Sequence, residues 1–431
     1  MSEEGQTESL ARESQKARRE LRRLRNTASF RIGLHLTRSI SNPLRLLILP
    51  ISFPIYCLIL GLERIGKIAK PEIVENYALE EEQNHSIVLF PTNGVGFGHF
   101  TRLYAVAKQL RKVDENLEII FFTPMPTLHV PYSDNFPTYH LAGRYKHSDM
   151  SASKWNAALE EMLRLVFEIH KPKWFIFDGA YPYRGMLNAI NSQSATKMWL
   201  RRGTFKKGTN IPVDSIGFFD KIIHPKDSVI QNFENKIHQI DTQIVEPISM
   251  INKDEMISRD KVRRRFNIPL DCFVVYVQLG AGRINEIDSD IRIVVDTILD
   301  NPSAHIVLGE SMLGERLDLE FERLTVIRDY PNSIYFNGFD MSVQAGGYNS
   351  YHEMKIMNMP TIFIPNQNTG MDDQLARCKV AEDEGWGVVI KSVTKQEINE
   401  AIEKLSGLKP IVTDFDNGAS AIARIILGGS R

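Results

Sequence analysis

The chain repeats one pattern twice: a short apolar run, a glycine-rich loop and then an amphipathic helix. The first copy begins with SIVLFPTN (86–93) and continues into GVGFG (94–98). The second begins with CFVVYVQL (272–279), followed by the loop GAGR (280–283). Short apolar runs of this kind are typical of strands buried on both faces of a parallel sheet. Strands that alternate with helices predict an α/β fold with doubly wound parallel sheets.

Additional strands are predicted in both halves of the chain, and a boundary separates the halves. The other candidate strands are 118–123, 174–178, 197–201, 221–224, 304–309, 333–339 and 361–364. The segment EPIS (246–249) reads as a hinge, so we expect an N-terminal Rossmann-like domain over 84–245 and a C-terminal one over 246–431. Residues 1–80 differ in composition and form an extension.

Two polar side chains of the first domain fall where a doubly wound sheet binds ligands, at the carboxyl ends of its strands. His99 opens the helix after the first glycine loop, and Asp178 ends the strand WFIFD. A neutral imidazole can take up a proton near pH 7, so His99 is a candidate general base and Asp178 a candidate for orienting it. The alternatives are that His99 binds an acceptor or phosphate, and that Asp178 contacts the acceptor or caps the strand end.

In the second domain the segment 340–365 reads as strand, glycine turn, helix and strand. The turn Gly346-Gly347 opens the helix, where backbone N–H groups and the helix dipole favour a pyrophosphate. Ser350 can add a hydroxyl, and Glu353 lies about two turns into the helix, where its carboxylate can accept two ribose hydroxyls.

A polar segment follows the next strand. NQNTGMDDQ (366–374) supplies carboxylates and amides that suit a polyol such as a sugar, from Asp373 and Gln374 among others. The alternative is a polar surface loop in which Asp372 caps the next helix.

Several other classes are disfavoured. The net charge of −1 gives no overall attraction to nucleic acid, so we expect no such partner. No acidic residue follows GVGFG at the distance that an NAD site requires. The Asp288-Ser-Asp290 sequence precedes a helix without the strand expected of a metal motif, and capping is the better interpretation. Three distant cysteines show no zinc spacing and fit a reduced cytoplasmic compartment.

The extension combines basic and apolar segments. RESQKARRELRRLR (12–25) predicts a short basic helix, either solvated or facing anionic lipid. The uncharged segment 46–62 is near the lower length limit for a membrane span, and Pro50 and Pro54 are expected to interrupt it. The alternative is a buried hairpin packed on the globular part. We expect an interfacial or re-entrant contact, with residues 12–70 binding an anionic membrane surface.

The C-terminal motifs resemble glycosyltransferase family 28, the group of UDP-sugar transferases that includes the peptidoglycan N-acetylglucosaminyltransferase. AGGYNSYHE followed by a strand, DDQ and the turn EGWG (384–387) carries the resemblance, with support from GAGRINE (280–286) and NGVGFGHFTR (93–102). The resemblance covers about residues 86–430 and is strongest in the C-terminal domain. It implies the GT-B fold, in which two Rossmann-like domains face each other across a cleft.

The resemblance also implies roles for individual residues. It places a donor, UDP-linked in this family, on the C-terminal domain without a bound cofactor or metal. Phosphate contacts fall to Gly282, Arg283, Gly346, Gly347 and Ser350. Glu353 then holds the ribose, and Asp373 and Gln374 hold the donor sugar, where the family has two glutamines. Gly96 and Gly98 fall on the acceptor side. Arg202 is assigned to the acceptor side from its position at the end of a strand beside the cleft, where it fits either an acceptor phosphate or a solvated rim.

The predicted function is metal-independent, inverting sugar transfer to a membrane- or lipid-linked glycan at the cytoplasmic face of the membrane. Two other functions stay open from the sequence. A non-hydrolysing UDP-sugar epimerase shares the fold but needs no acceptor. A non-catalytic subunit could bind a nucleotide sugar or recruit a transferase to the membrane.

Overall fold

The computed structural model describes most of the chain beyond residue 26. The described residues are 24, 27–65, 67–68, 83–92, 97–144, 150–202, 213–229, 240–280, 288–313, 319–368, 372–407 and 416–428. The chain divides into two compact units, residues 1–77 and 78–431. Apart from Leu24, the predicted basic helix over 12–25 lies outside the described residues.

Within residues 27–65 the first unit has two helices, α1 (Ala28–Ile40) and α2 (Pro43–Arg64), which pack on each other. Helix α2 is helical throughout, so the expectation that Pro50 and Pro54 interrupt it is wrong. The two prolines are four residues apart and remove hydrogen bonds from adjacent turns on one face, while the turns on either side keep theirs. By length and composition α2 is able to cross a membrane.

The second unit begins with a seven-stranded sheet in the order β3-β2-β1-β4-β5-β6-β7, and every pairing in it is parallel. Its strands are β1 (Asn84–Pro91), β2 (Glu118–Thr123), β3 (Thr138–His140), β4 (Pro172–Asp178), β5 (Thr196–Leu200), β6 (Lys221–Pro225) and β7 (Asp241–Val245). The helices between them are α3 (Gly98–Val113), α4 (His129–Ser133), α5 (Ala152–His170), α6 (Arg184–Asn191) and a 3₁₀ helix (Val213–Phe218).

A six-stranded parallel sheet follows in the order β10-β9-β8-β11-β12-β13. Its strands are β8 (Phe273–Gln278), β9 (Ala304–Gly309), β10 (Leu324–Ile327), β11 (Met341–Gln344), β12 (Thr361–Phe363) and β13 (Gly387–Val389). The α-helices are α7 (Arg259–Arg265), α8 (Asp288–Leu299), α9 (Tyr348–Ile356), α10 (Gln374–Asp383), α11 (Lys395–Ser406) and α12 (Gly418–Leu427). Two 3₁₀ helices complete it, Lys253–Glu255 and Asn332–Gly338.

The two predicted Rossmann-like domains are confirmed, each with apolar strands buried between helical layers. The last helix, α12, packs on the N-terminal domain. Its residues Ala419 and Ile422 lie in the same core as Leu103 of α3. The final segment of the predicted C-terminal domain therefore completes the N-terminal one.

One predicted strand is wrong. Of the predicted strand 333–339, residues 333–338 lie in the 3₁₀ helix Asn332–Gly338, whereas the strand predicted at the start of 340–365 is β11. The apolar side chains of the segment, Tyr335 and Phe336, fill a core beside α7 rather than a sheet position. A short apolar run is compatible with either structure, because its periodicity is too brief to distinguish them.

Candidate active site

The carboxyl ends of strands from both sheets lie beside one cleft between the domains. In the first sheet the strand order reverses between β1 and β4, and in the second between β8 and β11. Ligands of doubly wound folds bind at such switch points, outside the carboxyl ends of the strands. A cavity of about 440 Å³ lies there and is lined by residues of both domains, including His99, Arg202, Glu353 and Gln374.

His99 and Asp178 meet at the first switch point. Asp178 is the last residue of β4, paired with Pro91 at the end of β1, and His99 is the second residue of α3. The Nδ1 atom of His99 lies 2.7 Å from Oδ1 of Asp178. Asp178 is fully buried, whereas the imidazole is 19% exposed at the cleft. The sequence-predicted pair is therefore brought together with the geometry of a base and its orienting carboxylate.

Arg102 completes this cluster and was missed from the sequence. It lies one turn after His99 on α3, and its Nε and Nη2 atoms donate to the two carboxylate oxygens of Asp178 at 2.9 and 2.7 Å. Although burial alone would raise the pKa of Asp178, the charges and hydrogen bonds of Arg102 and His99 hold that pKa below its usual value. The signal in the sequence was the HFTR spacing, which places both side chains on one helix face.

Burial lowers the pKa of His99, and the charges of Arg102 and Arg202 lower it further against the opposing effect of Asp178. The imidazole is therefore neutral at pH 7. Two tautomers fit its contacts. With the proton on Nδ1, His99 donates to Asp178 and Nε2 is left as a base. With the proton on Nε2, the Nδ1 atom accepts from Arg102 Nη2, which lies 2.8 Å away.

The glycine turn of the second domain lies at the other switch point, directly after β11. A side chain at Gly346 would collide with Cys378 of α10, so this position requires glycine. Gly347 lines the cleft and forms the N-cap of α9. A Cβ atom at this position would have no heavy atom within 4 Å. The first N–H groups of α9 have no partners within the helix, so this end of α9 is suited to an anion.

Ser350 and Glu353 of α9 both line the cleft. Burial raises the pKa of Glu353 from 4.5 to about 7. A carboxylate in this position gains from any ligand that donates hydrogen bonds to it, as the hydroxyls of a ribose do.

The three polar residues that open α10 have different surroundings. Asp373 caps the helix, with its Oδ1 atom accepting from the Ala376 N–H at 3.1 Å, and it does not line the cleft. Asp372 and Gln374 do line the cleft. Asp372 accepts from Arg202 at 3.1 Å across the two domains, and Gln374 Oε1 accepts from the Asn366 N–H at 2.9 Å. The structure thus exchanges the expected positions of Asp372 and Asp373, because the helix begins one residue later than capping by Asp372 would require.

Polar contacts across the cleft fix the two domains on each other. Arg377 of α10 is fully buried and donates to both oxygens of Asp227, which follows β6, at 2.8 and 2.7 Å. These charges together with His352 hold the pKa of Asp227 well below its usual value, against the opposing effect of burial. Asn349 also donates to the carbonyl of Gly98 at 3.1 Å.

Three predicted site residues, Gly96, Gly282 and Arg283, lie outside the described residues. Asp288 and Asp290 fall in the first turn of α8, as expected of residues that begin a helix. Among the residues that the structure describes, no group of three His, Cys, Asp or Glu side chains is arranged to hold a metal ion.

Comparison with curated proteins gives two informative relatives, and no protein-family model matches the chain. The chain is 23% identical over 362 residues to the UDP-N-acetylglucosamine–N-acetylmuramyl-(pentapeptide) pyrophosphoryl-undecaprenol N-acetylglucosamine transferase of Clostridioides difficile, covering 78% of this chain and 85% of the relative. It is 26% identical over 200 residues to an uncharacterised glycosyltransferase of Methanopyrus kandleri, covering 44% of this chain and 56% of that relative.

Solved structures share the fold at low sequence identity. The spinosyn forosaminyltransferase SpnP superposes with a TM-score of 0.54 at 12% identity, covering 80% of this chain and 96% of that one. The UDP-GlcNAc 2-epimerase of Methanocaldococcus jannaschii gives a TM-score of 0.52 at 13% identity, covering 80% and 100%. These likenesses confirm the predicted two-domain fold, and the curated relatives confirm the predicted activity class. The chain is a glycosyltransferase with the GT-B fold, similar to glycosyltransferase family 28.

Proposed function

We propose that this enzyme transfers a sugar from a UDP-linked donor to a lipid-linked acceptor, with inversion at the anomeric carbon. The observation that carries the proposal is the His99–Asp178 pair, whose imidazole is exposed at the cleft that the glycine turn and Glu353 also line. The curated relative from C. difficile is named for a UDP-N-acetylglucosamine donor and a pyrophosphoryl-undecaprenol acceptor, which supports both substrate classes.

His99 acts on the acceptor. In the tautomer with the proton on Nδ1, its Nε2 atom accepts the proton of the acceptor hydroxyl while that oxygen attacks the anomeric carbon. The bond between this carbon and the diphosphate breaks in the same step, so one displacement inverts the configuration and UDP leaves. Asp178 stabilises the imidazolium that forms, and Arg102 keeps Asp178 ionised.

The second domain holds the donor. Negative charge develops on the diphosphate as the bond breaks, and the N–H groups that begin α9 after Gly347 are positioned to stabilise it without a metal ion. Ser350 adds a hydroxyl within the same turn of helix. Glu353 accepts the ribose hydroxyls, and Gln374 is positioned beside the sugar.

The remaining polar groups of the cleft fit the acceptor side. Arg202 reaches the cavity from the end of β5 in the N-terminal domain, with 20% of its side chain exposed, and is suited to an acceptor phosphate. A lipid-linked acceptor requires that the enzyme work at a membrane. The apolar helix α2, flanked by basic residues, supports a peripheral association with the cytoplasmic face, where nucleotide sugars are made.

A donor panel scored by UDP release, with and without lipid-linked acceptors, tests the proposal. We expect UDP release to depend on the acceptor and to be lost in His99→Ala. The matched control is His85→Ala, because His85 forms a similar pair with Asp114 (2.6 Å) at the surface of the same domain. Acceptor-independent interconversion of UDP-sugars would favour an epimerase instead. A Glu353→Ala chain that keeps full UDP affinity would contradict the assigned donor site.

A further inference from the structure

The hairpin of α1 and α2 exposes an apolar stripe along its longer helix. Five residues of α2 spaced three or four apart lie on one face and are 53–78% exposed: Leu44, Leu47, Ile51, Ile55 and Leu58. This spacing follows the helical repeat, so the stripe runs along most of the helix. Exposed apolar surface of this extent in a soluble protein marks a site of interaction.

The charges of the hairpin are placed at the ends of the apolar segment. The 17 residues from 46 to 62 carry no charge, and at 1.5 Å per residue they extend about 26 Å, so the stripe is long enough to lie along the interface of one leaflet. Arg45 precedes them and Arg64 follows, so cations lie at both limits of the apolar segment, where anionic headgroups meet the hydrocarbon. This charge pattern identifies a lipid bilayer as the partner of the stripe.

A buried ion pair joins the two ends of the hairpin. Arg31, in the first turn of α1, donates through Nη2 to Oε1 of Glu63 at 3.1 Å and through Nη1 to Oε2, and Glu63 is the last residue but one of α2. These residues are only 9% and 6% exposed. His35 and Tyr56 stack at 4.5 Å between the same two helices. A charge inside an apolar hairpin is costly unless it is paired, so this pair holds the start of α1 beside the end of α2.

We propose that α1 and α2 form a monotopic membrane hairpin, in which the Arg31–Glu63 pair holds both chain ends on the same face of the bilayer. The N-terminal tail and the catalytic unit then share the side on which the nucleotide sugar is found. This inference rests on the proposed action on a lipid-linked acceptor and adds how the chain is anchored.

Flotation with phosphatidylcholine vesicles, prepared with and without phosphatidylglycerol, tests the contact with lipid. We expect the full chain to float, more completely with the anionic lipid. Leu47→Glu/Ile51→Glu should lower the partition at least about tenfold, because two side chains lose a favourable transfer into lipid. The matched control is Ile244→Glu/Leu270→Glu, which changes two exposed apolar residues of the globular unit and should float normally. Equal flotation of the two double variants would overturn the proposal.

Cysteine labelling tests the topology. The starting chain lacks Cys57 and Cys272, and a single cysteine then replaces either Ser29, before the Arg31–Glu63 pair, or Lys67, after it. Sealed membrane vesicles with their cytoplasmic face outward are treated with an impermeant maleimide. Cys378 is fully buried and stays in place. We expect both positions to react as readily as Gln396→Cys, an exposed reference on α11. Protection of Ser29→Cys while the other two react would show a single span and refute the hairpin.

Spin labels at positions 29 and 67 report the closed hairpin directly. Labels on a closed hairpin lie close together, whereas α1 and α2 placed end to end would separate them by about 52 Å. Glu63→Gln should broaden the distribution toward long distances, and Arg31→Glu/Glu63→Arg should restore it. An unchanged distribution in Glu63→Gln would contradict the role of the pair. UDP release with a detergent-solubilised acceptor, measured on the same variants, separates failure of the anchor from failure of the proposed chemistry.

Discussion

Replacing Glu353 by glutamine should change stability and donor binding in opposite directions. Burial raises the pKa of Glu353 from 4.5 to about 7. Below pH 4.5 the carboxyl is protonated in both the folded and unfolded chain and has no effect. Above pH 7 it is ionised in both, and ionisation is less favourable in the folded chain. The free energy of unfolding therefore falls as the pH rises between these two values.

The size of the effect follows from the shift. Each pKa unit corresponds to about 1.4 kcal/mol, so ionised Glu353 destabilises the folded chain by about 3 kcal/mol at pH 8 and about 1 kcal/mol at pH 5.5. Glutamine has no such dependence. Relative to the wild type, Glu353→Gln should be more stable at pH 8 than at pH 5.5 by a margin of about 2 kcal/mol. Urea unfolding at the two pH values measures this margin, and Glu403→Gln on the exposed face of α11 is the control.

Donor binding should respond in the opposite way. Hydrogen bonds from ribose hydroxyls favour the carboxylate, so UDP affinity of the wild type should rise as the pH passes through 7, with proton release on binding. Glu353→Gln should bind UDP about 10- to 100-fold more weakly, as loss of charged hydrogen bonds predicts. Calorimetry in two buffers of different ionisation enthalpy measures both quantities. A variant with the pH dependence of the wild type in both stability and binding would refute the reasoning.

The remaining predictions concern the base, the glycine turn and the domain contact. His99→Ala should lower kcat by about 100-fold or more. Because burial lowers the pKa of His99, the acid limb of the wild-type profile of kcat against pH should lie below pH 6.5. An acid limb above that value would contradict a base that is neutral at pH 7. Gly346→Ala should destabilise the fold by about 1–3 kcal/mol through its collision with α10, while Gly347→Ala should keep its melting temperature and lose UDP affinity; equal melting of the two would contradict this distinction. Arg377→Ala should lower the free energy of unfolding by about 3–5 kcal/mol, because it leaves Asp227 buried and unpaired, and chemical denaturation measures the loss.

The spacing of apolar residues and glycines was sufficient to predict the fold and the site residues that lie at the end of a strand or near a glycine turn. The strands 118–123 and 304–309 were predicted at their observed bounds. His99 and Asp178 could be placed together because the topology of a doubly wound sheet brings the ends of β1 and β4 side by side. Glu353 could be placed because a helix of known start fixes which residues face the turn.

Contacts between distant segments could not be predicted in this way. Arg377 and Asp227 are 150 residues apart, and no sequence motif predicts that they contact each other. Asp372 and Asp373 are adjacent carboxylates whose roles depend on where α10 begins, and a shift of one residue exchanges the capping group with the group in the cleft. The segment SIYFNGF (333–339) was predicted as a strand because its apolar run is too short to show a helical or a strand period.

Three arginines of the cleft surround one aromatic ring, and all three have carboxylate partners. Arg102, Arg202 and Arg377 each place the guanidinium 5.4–5.7 Å from the centre of the Tyr348 ring, and each is paired with a carboxylate. Their positive charge is thus already balanced by carboxylates, so an incoming diphosphate gains more from the N–H groups at the start of α9 than from these three arginines.

The three ion pairs differ in how easily they can be exchanged for a substrate contact. The pairs of Arg102 with Asp178 and of Arg377 with Asp227 are buried on both sides, and breaking either would leave a charge without solvent. Arg202 and Asp372 retain 20% and 17% exposure, and they come from different domains. Asp372 also accepts from Arg377 Nη2 at 2.7 Å. A phosphate that reaches Arg202, as proposed for the acceptor, therefore replaces a partly solvated partner and leaves Asp372 paired with Arg377. We therefore expect a phosphate to bind at Arg202 at a lower cost than at Arg102 or Arg377.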